Sequence, residues 1–355
     1  MSKLFGSIRK ITILAIIVSL LVIPTFVVEA KTFKVAWSIY AGWMPWPYAE
    51  ESGILAKHAA ANGIEIDLMQ MDYIPSVEAY VAGKVDACVM TNMECLDMPS
   101  ASGIDSTVLI VGDYSNGNDA ILTRDRMTIA QLPGNEIYLV ELSVSHYLLA
   151  RCLEGNGLQE SQVQLVNTSD SDIGPVFLSN DNQKVVITWN PIVMQIEQAP
   201  GISKIFTSAD IPGEILDLMI VRTEVLQANP ALGKALVGAW YEVINVMSKR
   251  GHPQAQGAFQ AMAEKAGATV TEYKAQLKTT AMFYTPQTAV DYGKSKEIQE
   301  NMNLVRNFCF AHGLLGENAK SVDIVGIQYP DGTIQGDTKN IKMRFDVSYM
   351  EEAVK

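Results

Sequence analysis

The sequence predicts an α/β fold of two lobes, each a mostly parallel sheet flanked by helices, with a cleft between them. Three observations carry that expectation. From Phe33 short apolar runs alternate with helix-like segments, the alternation restarts once near residue 136, and two strand-like crossings join the series. A β-α-β-α order implies parallel strands with helices packed on the sheet faces.

Each element has its own signal. "FKVAW" reads as the first strand, and 47–61 as a helix stopped by Gly63. "IEIDLMQM" sets Ile64, Ile66 and Leu68 on one face at period two. "PSVEAYVAG" is a short helix between Pro75 and Gly83; "VDACVM" and "STVLIVGDY" are strands, with a short helix from Glu94 between them. In the second series "NEIYLVEL" is a strand, "SVSHYLLARCLEGNG" a helix, and "VQLVNT" and "KVVITW" strands. The Ser-Asn-Gly-Asn turn of "GDYSNGNDAILTR" carries the chain across, and "LDLMIVR" brings it back. "NPALGKALVGAWYEVINVMSK", 254–281 and 287–313 then read as helices. Lobe one is accordingly 31–116 with 221–315, lobe two is 117–220, and 316–355 is a turn-rich tail without an assigned place.

The first thirty residues read as a signal peptide. Lys3, Arg9 and Lys10 precede an uncharged apolar run, and Val28 and Ala30 offer small residues for cleavage near Ala30. The run approaches the length that spans a bilayer, so an uncleaved anchor is the competing reading; Pro24 and the small residues favour cleavage. An exported, periplasmic protein follows. The chain has 27 basic against 39 acidic residues, a net charge of −12. That acidity argues against nucleic acid or an anionic membrane as partner. Cys88, Cys95, Cys152 and Cys309 form no C-x-x-C, and buried thiols or one bridge both remain open. His58, His146, His252 and His312 are scattered without metal spacing, so no metal site and no cofactor are expected.

Open α/β sheets bind ligands at the carboxyl ends of their strands. The loops there hold Tyr40, Trp43 and Trp46; Asp72 and Tyr73; Thr91, Asn92 and Glu94; Ser115, Asn118 and Asp119; Glu141, Ser143 and Ser145; Trp189 and Asn190; and Asp217. Each also has a structural reading. Trp43 and Trp46 suit packing beneath a helix that Pro47 helps start, Glu94 suits a helix N-terminus, Thr91 and Ser145 suit caps, and the aspartates suit loop hydrogen bonds. Together the set is aromatic and acidic, with His146 its only cationic neighbour. A planar or quaternary cation fits that set: ring faces attract cations by roughly 0.5–2 kcal/mol each, and carboxylates accept charge-assisted hydrogen bonds. No nucleophile elbow, H-E-x-x-H, Walker loop or G-x-G-x-x-G occurs, so an enzyme is not expected.

"AYVAGKVDACVMTNMECL" resembles the A-x-x-x-G-x-x-D-A segment of periplasmic solute-binding proteins of the nitrate/sulfonate/taurine class. "IAQLPGNEIYLVELSVSHYLLARCLEGNGL", "TWNP" and "RTEVLQANPALGKALVGAWYEVI" are similar to that class's second-lobe entry, W-x-P loop and post-return segment. "KTFKVAWSIYAGWMPW", "MTNMECL" and "VGDYSNGNDAIL" look closer to the urea carboxylase-associated branch. The resemblance, from about Phe33 to about Phe310, implies a type II periplasmic-binding-protein fold. It also implies a monomeric receptor that hands a small molecule, guanidine or urea, to an ABC permease. On that expectation Glu94 and Glu141 close on the ligand from opposite lobes. Trp189 covers it, and Thr91, Asn118 and Ser145 add polar contacts. A sulfonate, taurine or nitrate receptor, or a periplasmic sensor, is the alternative.

Overall fold

The computed structural model describes residues 30–249 and 251–354, so the expected leader, apart from Ala30, lies outside the described residues. Lys31–Lys355 forms one compact unit. Its strands are β1 (Lys31–Trp37), β2 (Ile64–Gln70), β3 (Ala87–Thr91), β4 (Ser106–Ser115), β5 (Asp119–Thr123), β6 (Glu136–Leu139) and β7 (Gln164–Asn167). They continue as β8 (Val185–Trp189), β9 (Ser203–Thr207), β10 (Leu216–Arg222), β11 (Thr280–Met282), β12 (Gly326–Gln328), β13 (Ile334–Gln335) and β14 (Ile341–Phe345).

Two sheets result. The larger has the order β13-β12-β14-β4-β10-β3-β1-β2, with β11 attached to β4; the smaller has the order β7-β6-β8-β5-β9. β3 is buried at every position, because β1 and β10 flank it and helices cover its faces. Pairing is more mixed than the sequence suggests. β10 runs antiparallel to β3 and β4, and β5 antiparallel to β8 and β9. Both β5 and β10 are crossing strands, entering their sheets from the opposite lobe, which reverses their direction relative to the β-α-β units.

Several helices are shorter than the periodicity implies. The 47–61 helix is two, Pro45–Glu51 and Ile54–Ala61. Gly53 separates them at φ +76, a left-handed conformation that suits glycine. The 254–281 segment divides into Pro253–Lys265, Val270–Gln276 and strand β11. Gly267 at φ +65 ends the first of these, and the Thr269–Glu272 capping box starts the next. The 287–313 segment is likewise Pro286–Gly293 and Lys296–Ala311. The tail belongs to the large sheet. β14 pairs parallel with β4 and β12, and Phe345 stacks on Tyr329 with ring centroids 5.4 Å apart.

Trp46 lies inside this lobe, 1% exposed, with its ring centroid 5.1 Å from that of Trp240. It is a packing residue for the Pro230–Ser248 helix. Trp46→Ala is expected to lower the stability measured by urea unfolding by about 3–5 kcal/mol, the usual cost of such a truncation.

Candidate functional site

The two sheets present the same kind of edge to each other. Tyr40 and Trp43 follow β1, Tyr73 follows β2, Thr91 ends β3, and Asp217 lies at the start of the antiparallel β10. From the small sheet come Asp119 at the start of β5 and Trp189 at the end of β8, which are register partners. With Val144 and Ile215 these residues line one cavity, whose empty space including its mouth is about 270 Å³. That is below the usual range of ligand pockets, so a ligand held there without opening is limited to a few heavy atoms.

Four rings run across the cavity from one lobe to the other. Tyr40 meets Trp43 edge-on at 5.1 Å, Trp43 lies 5.6 Å from Tyr73, and Tyr73 meets Trp189 edge-on at 5.7 Å between centroids. Trp189 Nε1 donates to Ile39 O (3.4 Å). The indole Nε1–H of Trp43 is buried and has no acceptor.

The only charged groups in the lining are acidic. Asp119 and Asp217 are each 3% exposed, and no Lys, Arg or His lines the cavity. Asp217 stands directly opposite Asp113 across the β4–β10 pair. Burial pushes the Asp113 and Asp119 carboxyls up to about 7 and raises Asp217 well above the ordinary range, with the Asp113 charge adding to it. Tyr40 Oη donates to Asp113 Oδ1 (3.2 Å), and Ser115 Oγ donates to Asp119 Oδ2 (2.5 Å).

Other expected site residues have different places. Glu94 is fully buried behind the wall. It accepts from Tyr73 Oη (2.7 Å), from Thr91 Oγ1, and from the backbone N of Val144 (3.1 Å). Burial raises its pKa, and these hydrogen bonds oppose the rise. Glu141 is exposed and borders a separate depression with Asp72 and Asp170, so the structure does not bring it to Glu94. Asn92 ties down the start of β10, donating to Glu214 O and accepting from Leu216 N, both at 3.0 Å. Asn118 donates to Thr280 Oγ1 (2.5 Å). Asn190 accepts from Met194 N (3.0 Å). Ser143 caps the Val144–Gly155 helix by accepting from Ser145 N (3.2 Å), and Ser145 Oγ is buried without a partner. Asp113, Val144 and Ile215 went unforeseen; for Asp113 the signal was a carboxylate inside the apolar run "STVLIVGDY".

All four cysteines are buried free thiols. The histidines are less scattered than their spacing suggests. His146, Glu160 and His312 bring their ligand-type atoms within 4.8 Å of one another. A metal ion there would need a lone pair on both Nε2 atoms. Leu142 N donates to His146 Nδ1 (3.3 Å), which puts that ring's hydrogen on Nε2, where it meets Glu160 at 2.8 Å. His312 Nδ1 faces Phe308 O (2.9 Å) and its Nε2 faces Glu160 Oε2 (3.0 Å). Both neighbours only accept, which favours the doubly protonated ring and raises His312 above its ordinary value. The group is an ion-paired triad joining the two lobes.

The fold is that of periplasmic binding proteins. The chain superposes on the periplasmic aliphatic sulphonate binding protein SsuA from Escherichia coli with TM-score 0.60 at 17% identity, covering 78% of this chain and 99% of that one. It superposes on the Candida albicans CA3427 gene product, described as having the generic periplasmic binding protein fold, with TM-score 0.58 at 15% identity (78% and 90% covered). The periplasmic nitrate-binding protein NrtA from Synechocystis PCC 6803 gives TM-score 0.57 at 11% identity (92% and 99% covered). No curated protein matches the chain. Residues 60–256 match the family described as NMT1/THI5 like, and the chain belongs to that family.

The triad predicts a pH dependence. Its hydrogen bond to Glu160 raises His312 above its ordinary 6.5, so that contribution is complete below 6.5 and is lost as pH rises through the raised value. Glu160 is held down to about 2 from 4.5, so its contribution is present above 4.5 and is lost as pH falls toward about 2. The buried aspartates also favour lower pH, so the comparison must be against a variant. His312→Gln is expected to lower the melting temperature by a few degrees at about pH 6, an effect on the order of 1 kcal/mol after solvent screening. The difference should shrink at about pH 9; an equal loss at both pH values would show that His312 acts only by packing.

Proposed function

We propose that this chain is the extracytoplasmic solute-binding receptor of an ABC importer, and that it takes a small planar nitrogen cation of the guanidine type. Under this reading lobe one is the part carrying β1–β4 and β10–β14, lobe two is the part carrying β5–β9, and the exported monomer delivers its ligand to a membrane permease. The observation that carries the charge preference is the cavity wall: Asp119 and Asp217, four aromatic rings and no cationic side chain. A guanidinium offers N–H donors in a plane, which suits carboxylates at its edge and rings on its faces.

Sulfonate- and nitrate-binding proteins share the fold, which keeps an anion as the competing ligand class. One contact weighs against it here. Helix N-termini are natural anion sites, but the Val144–Gly155 helix has its Val144 amide occupied by the protein's own Glu94 carboxylate. A second reading, urea, is favoured by Trp43: its unpartnered Nε1–H suits a carbonyl oxygen, which guanidinium lacks.

Residues 31–355, refolded free of carried-over ligand, should be melted with guanidinium at low millimolar concentration, urea, taurine and nitrate. Ligand at a hundredfold over its dissociation constant stabilises by about 2.7 kcal/mol, several degrees of melting temperature. Guanidinium is expected to give that shift, and Asp217→Asn to weaken its binding roughly ten- to a hundredfold, the worth of a charged hydrogen bond. A shift with taurine or nitrate and none with guanidinium would reverse the assigned charge.

A further inference from the structure

We propose that the ligand-free site holds a proton shared between Asp113 and Asp217, and that a cationic ligand expels this proton when it binds. The inference rests on the cation reading given above.

The geometry starts in the sheet. Asp113 on β4 and Asp217 on β10 are register partners in an antiparallel pair, where directly opposed side chains have Cβ atoms about 4.5–5.5 Å apart. Two like charges so placed repel, and here they are 0% and 3% exposed. Oδ2 of each carboxyl is buried and no protein donor reaches it. A carboxylate only accepts, so the two opposed carboxyls can satisfy one another only when one of them carries a hydrogen.

Surrounding groups add no positive charge. Asp113 accepts from the Tyr40 hydroxyl of the loop after β1 and stands opposite Asp217; the charges close enough to act on the pair are Asp119 of β5 and the two aspartates themselves, while the nearby Tyr273 hydroxyl donates to Ala41 O. Asp119 in turn senses Glu94. With several carboxyls buried and no cation facing them, the cluster lowers its charge by keeping protons. The effect extends to all three aspartates, whose carboxyls burial raises.

Asp217 and Asp119 line the cavity and Asp113 stands behind Asp217. A guanidinium against Asp217 supplies the missing charge and the missing donors together. The O–H bond of the shared proton then breaks, the proton passes to solvent and both carboxylates ionise against the ligand. The ligand exchanges for a proton at nearly constant site charge.

Two measurements test this. The first needs no ligand: infrared difference spectra of the free protein between about pH 6 and about pH 9 should contain the C=O stretch of protonated carboxylic acid, one component of which is lost in Asp113→Asn while that of Asp119 remains. If the Asp113-dependent component is missing from the wild type, the shared proton is refuted. The second is calorimetry with guanidinium chloride at about pH 6.5 in phosphate and in Bis-Tris, whose ionisation heats differ. About one proton released per ligand is expected, with affinity falling about tenfold for each unit that pH drops below the pair's titration. Asp113→Asn should reduce both. Guanidinium that binds with equal heat in both buffers and with pH-independent affinity refutes the exchange and leaves the receptor reading standing. A preference for taurine or nitrate refutes the receptor's charge assignment, and the exchange with it.

Discussion

One buried carboxylate organises the wall of the cavity and touches both lobes. Glu94 takes its hydrogen bonds from Tyr73 and Thr91 on its own lobe and from the Val144 amide on the other. A fully buried acid without partners would cost several kcal/mol or stay protonated. Its partners therefore have to be where they are, and two of them are cavity-lining side chains. Tyr73 is oriented by its hydroxyl, so its ring sits between Trp43 and Trp189. Thr91 receives Met93 N on the hydroxyl that donates to Glu94, which starts the short Asn92–Cys95 helix. The aromatic wall and the inter-lobe contact are thus consequences of one ionisable group.

The acidic side of the cavity obeys the opposite logic. Glu94 is satisfied by donors, whereas Asp113 and Asp217 each keep an oxygen that no protein donor reaches. A sheet core without a binding task would gain from apolar residues at these cross-strand positions. Gly42 shows how closely the surroundings fit the pair: a Cβ there would lie 2.5 Å from Asp113 Oδ2 and 2.6 Å from Tyr40 Cε1. The backbone approaches the carboxyl as closely as the absence of a side chain allows. Uncompensated polarity kept at this cost is what the proposed ligand would compensate.

The sequence made the fold legible where local periodicity matched tertiary burial. β3 and β10 read as strands because they are buried along almost their whole length, and the restart near residue 136 announced a second sheet. Local signals said less about direction: nothing in "LDLMIVR" reveals that it runs antiparallel to its neighbours. The tail stayed unplaced because β12 and β13 are three and two residues long, too short for a period to show. At the site, chemistry-bearing loops were found by their position at strand ends, but position does not reveal aim. Glu141 follows β6 as Trp43 follows β1, yet it points to solvent while its neighbour Val144 meets the cavity. Asp113 escaped for the converse reason, since it sits inside a strand rather than after one.

The proposed receptor role requires opening, and the contacts that join the lobes are suited to breaking. Trp189 to Ile39 O, Tyr73 N to Asp170 and Val144 N to Glu94 are single hydrogen bonds, and Glu160 to His312 is a partly buried ion pair that solvent still reaches. Parting the lobes would leave Glu94 with Tyr73 and Thr91, so the carboxylate would not be stripped of donors as water replaced the Val144 amide. The covalent crossings into β5 and β10 would persist. Closure therefore gains little from any one protein–protein contact, each worth about 0.5–1.5 kcal/mol net, which leaves room for a ligand between Asp119 of one lobe and Asp217 of the other to bias the equilibrium. That division of labour, weak contacts between lobes and unsatisfied carboxyls facing the cavity, is what ties the proposed binding to the proposed motion.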